Sequence, residues 1–70
     1  MNDPIRIQLN GKDHEAPSDL SVRDLIVSLD LVPEMIVVER NRAILRREQY
    51  DDTAVEAGDV IELVHFVGGG

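Results

Sequence analysis

Histidines and paired acids are the first side chains in this sequence that could do chemistry. His14 and His65 sit on two different predicted strands, and neither has a second histidine at metal-ligand spacing. The sequence has no cysteine, which excludes disulfides, thiolate nucleophiles and cysteine-based metal sites. We therefore expect both histidines to be surface or interface residues, and we predict no metal site.

The hydroxyl residues and the adjacent aspartates also lack the setting that catalysis needs. The hydroxyl residues have no glycine-flanked elbow to present a nucleophile; they are Ser18, Ser21, Ser28 and Thr53. Asp51 and Asp52 could act as acid and base, but neighbours on a turn share no pocket in which one could hold a proton that the other lacks. We predict solvated turn residues there, and no catalytic apparatus inside the globule.

The last three residues, Gly68, Gly69 and Gly70, are the remaining candidates. No helix follows them, so they do not form a phosphate-binding loop. Because glycine has no Cβ, such a stem is narrow and could thread into a slot of another protein, where it would present the Gly70 carboxylate. A carboxylate joined to AMP reacts with sulfur or nitrogen nucleophiles. On the residues alone, a frayed terminus or a cloning remnant is the alternative.

Length and composition predict one small domain with protein partners. The 70 residues are 43% apolar and 30% charged, which suits a compact globule. We assign residues 1–67 to a single domain and 68–70 to a flexible functional tail. The net charge of −7 argues against nucleic acid as a partner. With no leader segment and no apolar run of membrane-spanning length, we expect a soluble, cytoplasmic protein that is monomeric when free.

The first half of the sequence predicts a β-hairpin followed by a helix. Residues 5–9 alternate apolar and polar side chains, and Asn10-Gly11 favours a type I′ turn into a returning strand at 12–16. Ser21 is placed to cap a helix that Pro33 is predicted to end. The apolar stripe of this helix consists of Val22, Leu25, Ile26 and Leu29.

The second half predicts further strands. Residues 35–39 are rich in β-branched side chains and predict a strand buried on most of its surface. A tight turn at 40–42, with Asn41 in the left-handed region, would lead to a short strand at 43–45. One helical turn is predicted at 47–50.

The last strand is predicted over residues 60–67, after a turn at 57–59. It is the longest apolar run, so we place it at the centre of the sheet. A hairpin, a helix and further strands, in this order, predict an α+β fold. We expect a two-layer roll in which a mixed sheet carries one main helix across one face.

Val64 and Phe66 are the candidate partner-docking residues. Ile61 and Leu63 are predicted to point towards the helix, so Val64 and Phe66 would lie on the opposite face, which is open to water. An exposed apolar pair beside the chain end is typical of a protein interface. The alternative is that Phe66 covers a sheet edge.

Five blocks of the sequence carry a resemblance to a known family. They are "LNGK" at 9–12, "SVRDLI" at 21–26, "VVERN" at 37–41, "REQY" at 47–50 and "GDVIELVHFVGGG" at 58–70. A small α+β roll ending in Gly-Gly resembles the ubiquitin-like β-grasp superfamily. Within it, the chain is similar over nearly its whole length to the ThiS family, the bacterial sulfur carriers of thiamine thiazole biosynthesis. The last block is the most specific.

The resemblance implies a protein co-substrate and not an enzyme. A ThiF-like adenylyltransferase would use ATP and Mg to convert the Gly70 carboxylate to an acyl adenylate. Sulfur from a cysteine desulfurase would then replace AMP and leave a thiocarboxylate, which a ThiG-like thiazole synthase would use. Gly70 is then the sulfur-carrying residue, Gly68 and Gly69 thread into partner sites, and the chain itself binds no cofactor.

Three alternatives stay open at this point. A sulfur carrier for molybdopterin synthesis has a similar fold and a similar Gly-Gly end. A ubiquitin-like modifier would be conjugated to lysine through Gly70. A plain interaction module would have an inert tail.

Overall fold

Five strands and one α-helix make up residues 3–66, the part of the chain that the computed structural model describes. The elements in chain order are β1 Ile5–Leu9, β2 Lys12–Ala16, α1 Val22–Ser28, a 3₁₀ turn at Pro33–Met35, β3 Ile36–Arg40, β4 Ala43–Leu45, a 3₁₀ turn at Arg47–Gln49 and β5 Val60–His65. The strands form one sheet in the order β2-β1-β5-β3-β4. The central position predicted for the last strand is confirmed.

The two neighbours of β5 pair with it to different extents. β1 runs parallel to β5 and pairs with it at Gln8–Val60 and Leu9–Ile61. β3 runs antiparallel to β5 and pairs with it along its length, from Arg40–Ile61 to Ile36–His65. The sheet is therefore mixed, as predicted, and β5 depends mainly on β3 for its pairing.

Both hairpins turn on an asparagine in the left-handed region of backbone space. In the β1–β2 hairpin the φ angles are 51° at Asn10 and 81° at Gly11, which confirms the predicted turn. In the β3–β4 hairpin they are 53° at Asn41 and 72° at Arg42. Asn41 adopts the predicted conformation, while Arg42 takes a conformation that long side chains rarely adopt.

The helix begins where the sequence predicts and ends earlier. Ser21 caps it, because the Asp24 N–H donates to Ser21 Oγ at 3.0 Å. At the other end, Asp30 adopts a φ of 62°, and the N–H of Leu31 donates to the Ile26 carbonyl at 3.2 Å. This is a Schellman ending, formed by an aspartate where glycine is more usual. The prediction that Pro33 ends the helix is therefore wrong, since Pro33 begins the following 3₁₀ turn.

The core lies between α1 and one face of the sheet. Three of the four predicted stripe residues of α1 are fully buried, and Leu29 is partly buried at the margin. The buried cluster contains Ile7, Val22, Leu25, Ile26, Ile36, Val38, Tyr50, Val55, Ile61 and Leu63. The members of this cluster that lie on strands alternate with more exposed residues, so the other face of the sheet is open to solvent.

The Tyr50 side chain holds the first residue of β3 from inside the core. β4 pairs with β3 only between Val38 and Arg40, and the Tyr50 hydroxyl donates to the carbonyl of Ile36, beyond that pairing, at 2.8 Å. Burial raises the pKa of Tyr50 above its ordinary value. The hydroxyl therefore stays protonated and can donate this buried hydrogen bond.

Candidate functional site

The candidate site is the end of β5, from which the chain continues to the glycines. Val67, Gly68, Gly69 and Gly70 lie outside the described residues, so the structure gives the strand that precedes them and its surroundings. β5 ends at His65, two residues before the end predicted from the sequence. Three sets of interactions hold this strand in place.

The first set lies at the start of β5, around Asp59, whose residue surface is only 6% exposed. Arg40 Nε donates to its Oδ2 at 2.9 Å, Asn41 Nδ2 donates to its Oδ1 at 3.1 Å, and the Glu56 N–H donates to its Oδ2 at 2.9 Å. Burial alone would raise the pKa of Asp59, but these hydrogen bonds and the Arg40 charge outweigh it and lower the pKa below 3.8. Asp59 is thus ionised at neutral pH and joins β5 to the β3–β4 hairpin.

The second set consists of the two turn asparagines, Asn10 and Asn41. Asn41 exchanges two bonds with Val60: its N–H donates to the Val60 carbonyl at 2.7 Å, and its Oδ1 accepts from the Val60 N–H at 2.8 Å. Asn10 donates its N–H to the Ile61 carbonyl at 2.9 Å and accepts from the Leu63 N–H at 2.8 Å through Oδ1. One asparagine from each hairpin therefore bonds to the central strand, on opposite sides of it.

The third set is the β3 ladder, which continues to the last described residue. Val37 pairs directly with Val64, and beyond the strand the Phe66 N–H still donates to the Met35 carbonyl at 3.1 Å. The backbone is consequently held as far as Phe66. The residues that follow start from a fixed point.

The solvent-exposed face at this end of β5 carries two valines, Val64 and its partner Val37, beside two carboxylates. Val64 is 57% exposed, as predicted, whereas Phe66 is half-buried. Val37, opposite Val64, is 37% exposed, while the other residues of the strand predicted at 35–39 are buried or half-buried. The next pair along the same face is Glu39 opposite Glu62, two carboxylates whose direct juxtaposition is unfavourable. We call Val37, Val64, Glu39 and Glu62 the docking face.

The other residues singled out from the sequence have structural or surface positions. His14 is half-buried on β2, and His65 is exposed on β5. Ser21 caps α1, and Ser28 Oγ donates to the Leu25 carbonyl at 2.7 Å. Asp51 is exposed in a turn and lies 3.5 Å from the Arg23 guanidinium.

Residues 3–66 contain no group of three or more His, Asp or Glu side chains placed to hold a metal ion. They also contain no helix whose length and apolar character would let it cross a bilayer.

Comparison with known proteins assigns the chain to a family. The family model described as "ThiS family" matches residues 6–70. The chain belongs to the ThiS family. The sulfur carrier protein ThiS of Bacillus subtilis is 45% identical over 65 residues, an alignment that covers 91% of this chain and 98% of that protein.

A solved structure and a longer protein extend the comparison. The crystal structure of a thiamine biosynthesis protein (ThiS) from Geobacter metallireducens superimposes on this chain with a TM-score of 0.78. The two sequences are 35% identical, and the superposition covers 94% of this chain and 100% of the other. The fold is therefore the ubiquitin-like β-grasp of ThiS. A thiazole synthase of Magnetococcus marinus is 39% identical over 66 residues; these cover 94% of this chain and 20% of that protein. The ThiS-family chain thus spans about a fifth of this relative.

Asp59 makes the stability of this ThiS-family chain depend on pH. Its folded pKa is lowered, so its contribution is fully present above the ordinary value of 3.8 and is lost as the pH falls through the folded pKa. We expect Asp59→Asn to lower the free energy of unfolding by about 2 kcal/mol near neutral pH, because a charged hydrogen-bond acceptor is removed. The difference from the unmodified chain should shrink as the pH falls below about 4.

Urea denaturation followed by circular dichroism at a series of pH values measures this difference. Asp52→Asn, which changes an exposed turn aspartate, is the control variant and should have little effect near neutral pH. An Asp59→Asn difference that stays constant down to the lowest pH would show that ionisation of Asp59 does not stabilise the fold.

Proposed function

We propose that this chain is a sulfur carrier of thiamine biosynthesis, a protein co-substrate and not an enzyme. In this proposal the Gly70 carboxylate is adenylated, converted to a thiocarboxylate and used as the sulfur donor by a thiazole synthase. The observation that carries the proposal is the ThiS-family match, which extends to residue 70 and so includes the glycines.

In the proposal, sulfur reaches Gly70 in three steps. An adenylyltransferase with ATP and Mg joins AMP to the Gly70 carboxylate, and pyrophosphate leaves. The terminal sulfur of a cysteine-desulfurase persulfide attacks the acyl carbon, and AMP leaves. A thiol then cleaves the remaining sulfur–sulfur bond, which frees the thiocarboxylate. The chain has no cysteine, so no internal thiol competes for the acyl adenylate.

The described residues contribute a fixed starting point for this chemistry. Residues 67–70 can span no more than about 14 Å even when fully extended. A partner that reacts with Gly70 must therefore bring its active site within that distance of Phe66. Because hydrogen bonds hold β5 as far as Phe66, the position of this starting point is set by the fold.

The docking face fits a partner surface that is both apolar and basic. Val64 and Val37 offer exposed apolar surface close to Phe66, and the neighbouring Glu39 and Glu62 repel one another until a cation lies near them. The net charge of −7 agrees with a basic partner surface. Phe66, being half-buried, would contribute to docking less than its type alone suggests.

Thiazole synthase is the partner with the most direct support. Two relatives that carry this name, from Magnetococcus marinus and Paramagnetospirillum magneticum, each contain a region similar to most of this chain. A carrier region joined to a synthase in one polypeptide is kept close to the enzyme it supplies. In the proposal, the separate chain binds both the adenylyltransferase and the synthase through its docking face.

Sulfur loading at Gly70 is tested by intact-mass spectrometry. Incubation with an adenylyltransferase that acts on ThiS-family carriers, a cysteine desulfurase, cysteine, a reducing thiol and MgATP should raise the mass by about 16 Da, because one oxygen is exchanged for sulfur. A chain that lacks Gly70 is the control and should keep its mass. An unchanged mass of the full chain, with an adenylyltransferase that loads its own carrier, would refute the proposal.

The docking face is tested by a pair of valine substitutions on one strand. Val64 and Val60 lie on the same face of β5, and Val60 is 42% exposed at the far end from the tail. We expect Val64→Ala to slow sulfur loading about ten-fold, the effect of removing an interface side chain worth more than ~1 kcal/mol. Val60→Ala should load at the normal rate. Equal loading rates for the two variants would remove Val64 from the interface.

A further inference from the structure

The direction of the backbone groups along β5 shows which of them are paired. Alternate residues of a strand direct their N–H and C=O groups to opposite neighbours. The Val60 carbonyl accepts from Asn41, and the Phe66 N–H donates to Met35, so the even-numbered residues of β5 bond towards β3. The odd-numbered residues therefore bond towards β1.

The β1 side of β5 loses its strand partner before β5 ends. The Ile61 carbonyl accepts from Asn10, and the Leu63 N–H donates to the Asn10 side chain, where β1 turns away into its hairpin. By the same alternation, the Leu63 carbonyl and both backbone groups of His65 face this side. No strand within residues 3–66 lies beside them, because the pairing of β1 with β5 ends at Leu9–Ile61.

We propose that an extended segment of the thiazole synthase pairs with this edge of β5, through the Leu63 carbonyl and the His65 N–H and carbonyl, and so adds a strand beside the tail. This inference rests on the proposed function, in which the synthase is the partner with the most direct support, because two relatives named thiazole synthase contain a region similar to this chain. It adds the atoms by which that protein would hold the base of the tail. Strand addition of this kind uses main-chain hydrogen bonds, so it does not depend on the identity of the side chains.

Because this edge is short, we infer that the protein paired with it is the same protein that binds the tail. Three backbone groups contribute too little to hold a separate peptide, because a hydrogen bond to another protein largely replaces one to water and adds little net affinity. Short edges of this kind also resist pairing between copies of a chain. A protein already bound to residues 67–70 is different: it lies within about 14 Å of Phe66, and the edge pairing then adds to an existing contact.

The backbone N–H of His65 can be removed without disturbing the β3 ladder. Proline at position 65 deletes this N–H, and its ring occupies the side on which a partner strand would lie. Strands tolerate proline where the N–H faces away from the sheet, and the preceding Val64 is already extended, as a residue before proline prefers. His65→Ala is the matched control, because it removes the same side chain and keeps the N–H.

The test measures binding of the unmodified, carboxylate-ended chain to thiazole synthase, so it does not depend on sulfur loading. We expect His65→Ala to bind as tightly as the wild type and His65→Pro to bind about ten-fold more weakly or worse, with both variants showing the circular dichroism spectrum of the fold. A second measurement uses the wild type alone: the His65 amide should exchange rapidly with deuterium in the free chain and become protected in the complex. This exchange measurement still tests the inference if His65→Pro does not fold.

Three results would overturn the inference. One is equal affinity of His65→Pro and His65→Ala. Another is an unchanged exchange rate of the His65 amide in the complex, or no complex at all. The third is protection of that amide in the free chain that rises with protein concentration, which would place a second copy of the chain on the edge. Failure of the proposed function gives a different signal, an unchanged mass after sulfur loading.

Discussion

The attachment of β5 to the two hairpins is the constraint on which the rest of the structure depends. Asp59 anchors the start of the strand to Arg40 and Asn41, and the two turn asparagines supply hydrogen bonds where a regular ladder would end. The core residues Ile61 and Leu63 lie in the same short strand. One strand therefore both completes the hydrophobic core and fixes the point from which the glycines continue.

The position of β5 explains how so small a domain can hold the segment that precedes its glycines. A central strand has neighbours on both sides and is harder to displace than an edge strand, and β5 has both neighbours over its first residues, up to Ile61. The two sides are unequal, however, because β1 turns away first. Stability thus comes mainly from the β3 side, and the surface available to a partner lies on the open face and along the vacated edge.

Patterns that repeat along the chain allowed much of this fold to be predicted from the sequence. Alternating apolar residues predicted the strands, the Asn10-Gly11 pair predicted the first hairpin, and Ser21 predicted the start of the helix. The end of the helix and the exposure of Val37 were not predicted. The helix ends at Ser28, because Asp30 adopts the left-handed conformation of a Schellman motif, which glycine forms more often. Val37 is exposed because β3 has one face towards α1 and one towards solvent.

The described part of the candidate site could be predicted only partly from the sequence. Val64 followed from strand alternation, but Val37 and the Glu39–Glu62 pair depend on the register between β3 and β5, which no local pattern encodes. Likewise, Asn10 and Asn41 could be assigned to turns from the sequence, whereas the bonds of their side chains to β5 could not. The buried Arg40–Asp59 pair joins residues that are far apart in the chain, so it too required the fold.

The central claim is that Gly70 delivers sulfur to a thiazole, and the most direct measurement follows that sulfur atom. The chain is loaded with heavy-isotope sulfur, purified from the desulfurase, and given to thiazole synthase as the sole sulfur source with the synthase's other substrates. The account predicts heavy sulfur in the thiazole phosphate and a chain that returns to its carboxylate mass. A chain that keeps its label, or a thiazole that forms without it, would contradict the account.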